Sequence, residues 1–182
     1  LIFDINKYPK FKDKIIYIVV EKQPDNLYHI SKNDNEDVIG NKLTLNGYKR
    51  DNFQRQQSYQ ALDKLEPDDW ILINDIDEIP NLDNVDLRLI KKKFLMFKQR
   101  IFFYKFNLLY PSTPWHGTKA CQKKYFKSPQ WLRDMKHKKY PFWRLDIYFS
   151  EKKYNSIHYI NDGGWHFTNI KSAIDIQKKL LN

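Results

Sequence analysis

Three carboxylates lie within four positions, directly after an apolar segment of the chain. Residues 70–73, Trp-Ile-Leu-Ile, suit a buried strand, and Asp75, Asp77 and Glu78 follow before Pro80. Acids this close together repel one another unless a positive charge lies between them. The cluster is therefore either solvated or the binding site of a cation. An Asp-x-Asp pair at a strand end can bind Mg²⁺ or Mn²⁺ while substrate phosphates supply further ligands.

A second group of residues suited to ligand binding lies far downstream. Gly163 and Gly164 allow either a close backbone approach to a ligand or a tight turn. Trp165 could stack on a flat ligand or pack in the core, and His166 could ligate a metal or be a hydrogen-bonded core residue. Upstream of the acidic cluster, Arg55 could bind phosphate or form a surface ion pair.

The composition favours a folded protein with a basic surface. The 182 residues are 41% hydrophobic and 16% aromatic, and disordered chains are poor in aromatic residues. The formal net charge of +10 suits anionic partners, although a solvated Lys-rich surface explains the same charge. Cys121 is the only cysteine, which fits a reducing compartment. Together with the Lys and Asn bias, this indicates a cytoplasmic protein of bacterial or viral origin.

The elements that must position these groups follow an α/β pattern. Residues 14–20 predict a buried strand, 48–65 a helix and 70–74 a second buried strand, which together form a βαβ unit. Ligands of open α/β sheets lie at the carboxyl ends of the strands, which is where the acidic cluster would fall. Further predictions are a helix over 81–93, one or two strands over 94–110, a strand over 118–126, a short helix over 128–138, a strand-turn-strand unit over 156–170 and a final helix.

Four segments resemble glycosyltransferase family 17, the group that includes the β-1,4-mannosyl-glycoprotein N-acetylglucosaminyltransferase. They are KIIYIVV (14–20), DDWILINDIDEIP (68–80), WHGTK (115–119) and GGWHFTNI (163–170), in matching order and approximate spacing. The resemblance covers most of the chain, and DIDEIP together with GWHF is its specific part. It implies one GT-A-like, Rossmann-like domain over residues 1–182, with a mixed sheet flanked by helices, truncated at both ends.

The resemblance implies an inverting, metal-dependent transferase that moves a sugar, most simply GlcNAc, from a UDP-sugar donor to a glycan acceptor. Asp75 and Asp77 match the family's Asp-x-Asp and would bind Mn²⁺ or Mg²⁺. His166 would complete the metal shell, while Arg55, Asp75 and Trp165 would bind the donor. A eukaryotic member would work in the Golgi lumen. No apolar segment is long enough to span a bilayer, which still allows a peripheral contact with a membrane.

An inverting transfer also needs a carboxylate that deprotonates the acceptor hydroxyl. Asp162, next to the two glycines, is the first candidate, and Asp146 and Asp134 follow. In WHGTK, His116 and Lys119 would line the acceptor side. Glu78 would either orient a ligand or serve as an ordinary turn acid, and Trp115 shares the alternatives given for Trp165.

Two other functions fit parts of the sequence. A haloacid-dehalogenase-type phosphatase also places Asp-x-Asp after a core strand, but Ile79 stands where that family has Thr or Val. A non-catalytic nucleic-acid-binding module would use the basic and aromatic residues to bind phosphates and stack on bases. The clustered acids would repel an anionic backbone. We therefore expect a transferase without a nucleic-acid partner.

Overall fold

The computed structural model describes residues 3–83 and 85–181. Contacts within the chain divide it into two compact units, an amino-terminal unit up to Lys64 and a carboxy-terminal unit from Leu65. Compact units of this kind can belong to one functional domain, so the expectation of a single domain stays a prediction.

The amino-terminal unit is built on one long helix, α1 (Glu36–Gln57), followed by a 3₁₀ turn at Ser58–Leu62. The helix begins where the Asn35 side chain accepts a hydrogen bond from the Val38 backbone amide at 2.9 Å. This cap satisfies an amide that has no partner inside the helix. The sequence predicted a helix over 48–65 because only that part has apolar residues at helical spacing, so its start was placed too late.

The predicted strand over residues 14–20 is wrong. Two 3₁₀ segments, Ile5–Lys7 and Pro9–Lys14, precede residues 15–20, which form neither helix nor strand. Ile16, Tyr17 and Val19 are all exposed. An apolar segment becomes a strand only when another strand satisfies its backbone groups, and no described residue pairs with this one. The predicted βαβ unit is therefore also absent from the described part of the chain.

The carboxy-terminal unit contains eight strands in two four-stranded sheets. The strands are β1 (Trp70–Ile73), β2 (Glu78–Pro80), β3 (Phe94–Phe97), β4 (Gln99–Phe103), β5 (Leu109–Trp115), β6 (Lys119–Gln122), β7 (Ile157–Ile160) and β8 (Gly164–Thr168). One sheet has the order β1-β6-β3-β7 and the other β2-β8-β4-β5. Each consecutive pair of strands, β1–β2, β3–β4, β5–β6 and β7–β8, therefore places one strand in each sheet. The helices of this unit are α2 (Pro129–Asp134) and α3 (Ala173–Leu181).

Both sheets are mixed. β3 lies parallel to β7 and β4 parallel to β8, whereas the other pairs are antiparallel. The predicted class, mixed α/β, is confirmed at this level. The helices are few, and β1 lies at a sheet edge with only the antiparallel neighbour β6. The finer expectation of a GT-A-like, Rossmann-like arrangement stays a prediction.

Most of the later element predictions are confirmed, including the strand after residue 69, the short helix α2 and the final helix. The strand-turn-strand prediction is also confirmed, although β7 and β8 join different sheets. The helix predicted over 81–93 is wrong, since its described residues form only a 3₁₀ turn at Leu87–Leu89. Asn81 and Asp86 instead accept hydrogen bonds from backbone amides two residues ahead, a local alternative that competes with helix formation.

The core of this unit is centred on β3. All four of its residues, Phe94–Phe97, are buried, so both faces of the strand are covered. On one face, Phe94 and Met96 pack with Cys121, Leu132, Met135 and Ile157; on the other, Leu95 and Phe97 pack with Ala120. A strand that is buried on both faces must be apolar along its whole length, and helix α2 covers one of the two faces of β3. The core thereby fixes β6 and α2, which carry residues of the site.

Gly164 allows β2 and β8 to pair. Its φ of +114° is rarely adopted by residues with a side chain, and a Cβ atom there would overlap the Ile79 carbonyl oxygen. Pro80 lies opposite Gly164 and Glu78 lies opposite His166 in the same antiparallel pair. Of the two alternatives for this glycine, the structural one accounts for its conformation: it brings two backbones together.

We expect Gly164→Ala to destabilise the carboxy-terminal unit by about 2 kcal/mol or more, because backbone strain and steric overlap add. All five tryptophans lie in this unit. Urea unfolding followed by tryptophan fluorescence therefore reports on it selectively. Gly47→Ala on α1, where a Cβ atom has open space, is the matched control and should leave the tryptophan transition in place. Equal midpoints for Gly164→Ala and the unsubstituted protein would contradict this account.

Candidate functional site

The acidic turn, residues 74–78, connects the two sheets of the carboxy-terminal unit. It begins after β1, whose neighbour is β6, and ends in β2, whose neighbour is β8. The Glu78 amide donates to the Asp75 carbonyl at 3.0 Å, and the Asn74 side chain donates to the Glu78 carbonyl at 3.0 Å. These bonds close the turn, so that its carboxylates project from a fixed backbone.

Arg133, in the last turn of α2, supplies a positive charge within the acidic cluster. Its guanidinium donates to both Glu78 carboxylate oxygens, at 2.6 and 2.8 Å, and to Asp75 Oδ2 at 2.7 Å. The Glu78 side chain is completely buried, and that of Arg133 is 13% exposed. The cluster is therefore not a simply solvated turn, because a guanidinium compensates two of its three acids.

The pKa of Arg133 reflects this arrangement. Burial alone lowers the pKa, because a low-dielectric environment disfavours the charged form. The hydrogen bond to Glu78 and the charges of Glu78, Asp75 and Asp77 outweigh burial, so the pKa lies above its usual value. Arg133 therefore stays charged at any pH at which the protein folds.

Glu78 has further donors that hold its carboxylate in place. The Trp115 indole donates to Oε1 at 2.6 Å, and the Asp75 backbone amide donates to Oε2 at 3.1 Å. Any side chain at Gly117 would overlap the Glu78 carboxylate and the Trp115 indole. The Gly117 carbonyl accepts a hydrogen bond from Arg133. Glu78 thus joins the acidic turn, α2 and the segment between β5 and β6, which is a positioning role.

Asp77 and His166 lie together, as the Asp-x-Asp and GWHF motifs predicted. His166 Nε2 is 3.5 Å from Asp77 Oδ2, and the Phe167 amide donates to the Asp77 carbonyl at 2.9 Å. The His166 ring stacks on Trp115, with centroids 4.7 Å apart and an interplanar angle of 17°. His166 Nδ1 is buried and has no hydrogen-bond partner. Asp77 keeps a side-chain exposure of 40%, so the pair is open to solvent on the carboxylate side.

The three predicted metal ligands fit a metal only in part. Across the described ranges, no group of three or more His, Cys, Asp and Glu side chains is placed to hold an ion. Asp75 directs one carboxylate oxygen to Arg133, which leaves Asp77 and His166 as the adjacent pair. A carboxylate oxygen with an imidazole nitrogen suits Mn²⁺ better than Mg²⁺, which prefers oxygen ligands throughout. A substrate phosphate would have to supply further ligands.

The predicted catalytic base lies away from the acidic turn. Asp162 is in the turn between β7 and β8, with φ +51°, and its carboxylate pairs with Arg100. Asp162 lies just before β8, next to the end at which Gly164 is opposite Pro80. Asp77 lies near the other end of β8, where the Phe167 amide donates to its carbonyl. The alternatives Asp146 and Asp134 pair with lysines, Lys153 at 2.7 Å and Lys152 at 2.9 Å respectively.

Of the two remaining donor-binding candidates, one faces away from His166 and the other belongs to the amino-terminal unit. Trp165 is next to His166 in β8, so the two side chains point to opposite faces of the strand. Trp115 is the tryptophan that contacts both Glu78 and His166. Arg55 lies in the last turn of α1, in the amino-terminal unit.

A cavity of about 520 Å³ adjoins Arg133 and Trp115. Its lining includes His116 and Lys119, the residues predicted for the acceptor side, and His137, whose ring stacks on His116 at 4.7 Å. Burial, together with the charge of Arg133, lowers the pKa of Lys119 to about 8. Its ammonium donates to the Met135 carbonyl at 2.6 Å and to the Arg133 carbonyl, so it also fixes the end of α2.

Sequence reasoning missed Arg133 and His137. The signal for Arg133 was the acidic cluster itself, which requires a cation, together with an arginine one turn along a short helix that begins with Ser-Pro. Nothing in the sequence distinguished His137 from the lysines around it, because its contact with His116 is purely tertiary.

Comparisons with family models, with curated proteins and with solved structures return no match for this chain. The resemblance to glycosyltransferase family 17 therefore stays a prediction that rests on the motifs. No helix within residues 3–83 and 85–181 has both the length and the apolar character needed to cross a membrane.

Removing Arg133 should destabilise the carboxy-terminal unit strongly. Arg133→Met leaves the Glu78 carboxylate buried without its counter-ion, for which we expect a loss of about 3–5 kcal/mol in urea unfolding. The double variant E78Q/R133M should lose less, because no charge then stays buried. Arg88→Met, which removes an exposed ion pair with Asp86, is the control and should leave the midpoint unchanged. A loss for Arg133→Met no larger than that of the control would refute the compensating role.

His116 should titrate far below an ordinary histidine. Burial, followed by the charges of His137, Lys98 and Lys119, lowers its pKa to about 4. NMR titration of the imidazole proton resonances should give that midpoint, and His137→Ala should raise it. Between pH 6.5 and 4 the unfolded chain binds this proton and the folded chain does not, so the unfolding free energy falls as the pH falls. A His116 midpoint near 6.5 would show that the ring is freely solvated.

Proposed function

We propose that this chain is a metal-dependent glycosyltransferase that moves a sugar, GlcNAc in the first instance, from a UDP-sugar to a glycan acceptor with inversion. One observation supports this above the others. The acidic turn that holds Asp75 and Asp77 leads into β2, which pairs with the GWHF strand β8. Glu78 therefore lies opposite His166, and Asp77 is 3.5 Å from His166. The two motifs that carry the resemblance thus lie side by side, as the proposed metal site requires.

Asp77 and His166 are the residues we assign to the metal. A divalent ion there would neutralise the charge that develops on the departing diphosphate. Asp77 offers a partly exposed carboxylate, and the stacked Trp115 ring fixes the orientation of the His166 imidazole. Asp75 would contact the donor's ribose or a water on the ion, with its carboxylate oriented by Arg133.

Arg133 and Glu78 hold the site in a working geometry. Their buried pair fixes the turn that carries Asp75 and Asp77, so the carboxylates are already in place before the donor binds. Preorganised groups contribute more to a reaction than groups that must be ordered during it. This is a positioning role, since neither side chain needs to touch the reacting atoms.

The cavity beside Arg133 is our choice for the acceptor side. Its volume of about 520 Å³ lies in the range of small-molecule sites, and Trp115 and Pro114 supply flat apolar surfaces on which a sugar ring can pack. His116 and Lys119 provide hydrogen-bonding groups at its wall. Asp162 remains the base proposed from the sequence, although its carboxylate pairs with Arg100.

The two alternatives gain less support. For the haloacid-dehalogenase-type phosphatase, Ile79 stands where that family has Thr or Val, and no described feature favours that function. For nucleic-acid binding, no described feature favours a bound strand at the acidic turn, where Asp77 and Asp75 would repel phosphates. The proposed partners are therefore a nucleotide sugar and a glycan, without nucleic acid.

The proposal predicts manganese binding that depends on Asp77. Electron paramagnetic resonance of Mn²⁺, measured with and without UDP-GlcNAc, should show an ion bound by the chain and tightened by the nucleotide sugar. Asp77→Asn should weaken this binding at least tenfold, because one direct ligand is lost. Asp83→Asn, an exposed acid after β2, is the matched control and should bind as the unsubstituted protein does.

Turnover provides the second measurement. Hydrolysis or transfer over a panel of UDP-sugars should require Mn²⁺, stop with a chelator and fall with Asp77→Asn. In the same assay Asp162→Asn should abolish transfer while donor binding persists, and undiminished transfer would eliminate Asp162 as the base. If the unsubstituted chain binds neither Mn²⁺ nor any donor, the proposed function is wrong.

A further inference from the structure

A cluster of large apolar side chains is exposed on the loop that connects α2 to β7. We call residues 140–149 the aromatic loop. Five of its side chains are between 68% and 89% exposed: Phe142, Trp143, Leu145, Tyr148 and Phe149. Single exposed apolar residues are common, but five within eight positions is a concentration of the kind that marks an interaction site.

The loop has an ordered backbone that presents these side chains outward. The amides of Arg144, Ile147 and Tyr148 donate to the carbonyls three residues earlier, at 3.1 to 3.3 Å, which gives consecutive turns. Ile147 is the one residue of the loop that is buried, and it anchors the loop to the unit. Phe142 and Trp143 contact each other edge to face, with centroids 5.1 Å apart. Phe142 and Trp143 thus lie against each other while both stay exposed.

Cations surround the aromatic loop. Residues 136–153 contain six Lys and Arg against two acids, Asp146 and Glu151, which leaves a net charge of +4. Asp146 is already engaged by Arg144 and Lys153 within the loop. Lys138 and Lys139, just before the loop, are exposed, and Lys139 lies over the Tyr159 ring. Exposed apolar side chains and flanking basic residues thus occur together, and their complement is a layered partner that is anionic outside and apolar within.

We propose that the aromatic loop binds the surface of an anionic lipid membrane. Trp, Tyr and Phe favour the boundary between headgroups and acyl chains, and nearby Lys and Arg are attracted to anionic headgroups. Phe142, Trp143 and Phe149 enter the boundary region, while Lys138 and Lys139 contact headgroup phosphates. The contact is peripheral and does not rest on the proposed function.

Vesicle flotation tests this proposal with the full chain, without metal or nucleotide. Vesicles of phosphatidylcholine with about 30% phosphatidylglycerol should carry the protein, and vesicles of phosphatidylcholine alone should carry much less. Binding should fall as salt rises from about 0.1 M to about 0.5 M, because surface charges are then screened. Chelation of metals should have no effect, which separates this result from any failure of the transferase proposal.

Two variants test the two parts of the loop. F142S/W143S/F149S should weaken binding to anionic vesicles at least tenfold, and K138E/K139E should weaken it and reduce its salt dependence. Matched controls lie elsewhere in the same unit: F106S/L108S removes two exposed apolar side chains, and K91E/K92E reverses two exposed charges. Both controls should bind as the unsubstituted chain does. All substituted side chains are exposed, so the variants should fold, as circular dichroism can verify.

Three outcomes would overturn the proposal. The first is that the unsubstituted chain binds neither kind of vesicle. The second is that the controls reduce binding as much as the loop variants, which would indicate only a general effect of charge. The third is that light scattering in the absence of lipid shows self-association that F142S/W143S/F149S abolishes, in which case the patch is covered by a second copy of the chain.

Discussion

The buried contact between Glu78 and Arg133 is the constraint on which the site depends. A fully buried carboxylate is costly unless it is paired and hydrogen-bonded. Here it has a bidentate guanidinium, an indole and a backbone amide as donors. Because those donors come from α2, from β5 and from the acidic turn, satisfying one charge fixes three separate parts of the chain. The compensation also explains how three acids can follow a strand without forcing it apart.

The same place is where the chain passes from one sheet to the other. β1 and β2 are consecutive, yet they pair with β6 and β8 in different sheets, so the turn between them has no strand neighbour of its own. Side-chain hydrogen bonds must hold this turn in place of backbone hydrogen bonds to a neighbouring strand, and Arg133 supplies them. At Gly117, where a Cβ atom would overlap the Glu78 carboxylate and the Trp115 indole, the absence of a side chain allows this close approach. The turn between β1 and β2 therefore determines both how the two sheets are connected and where the candidate site lies.

Two surfaces with opposite character follow from this arrangement. The acidic turn, with Asp77 and His166, suits a cation and the phosphates it would bring, and the aromatic loop with its lysines suits an anionic layer. Only a short stretch of chain separates them, because Arg133 closes α2 and the loop begins a few residues later.

The sequence by itself determined the local elements and the residues with chemical potential. It predicted β1, β8 and α2 from apolar runs and singled out Asp77 from the spacing of the acids, because these are local signals. The resemblance of GGWHF to a family motif singled out His166. It misjudged residues 14–20, because a β-branched run looks like a strand whether or not a neighbour exists to pair with it. Tertiary structure alone decided the rest: Arg133 as the compensating cation, Trp115 instead of Trp165 beside His166, and strand orders that split each segment between two sheets. These features depend on contacts between distant residues, which are set by burial and hydrogen-bond satisfaction across the whole unit and leave no periodic mark on the chain.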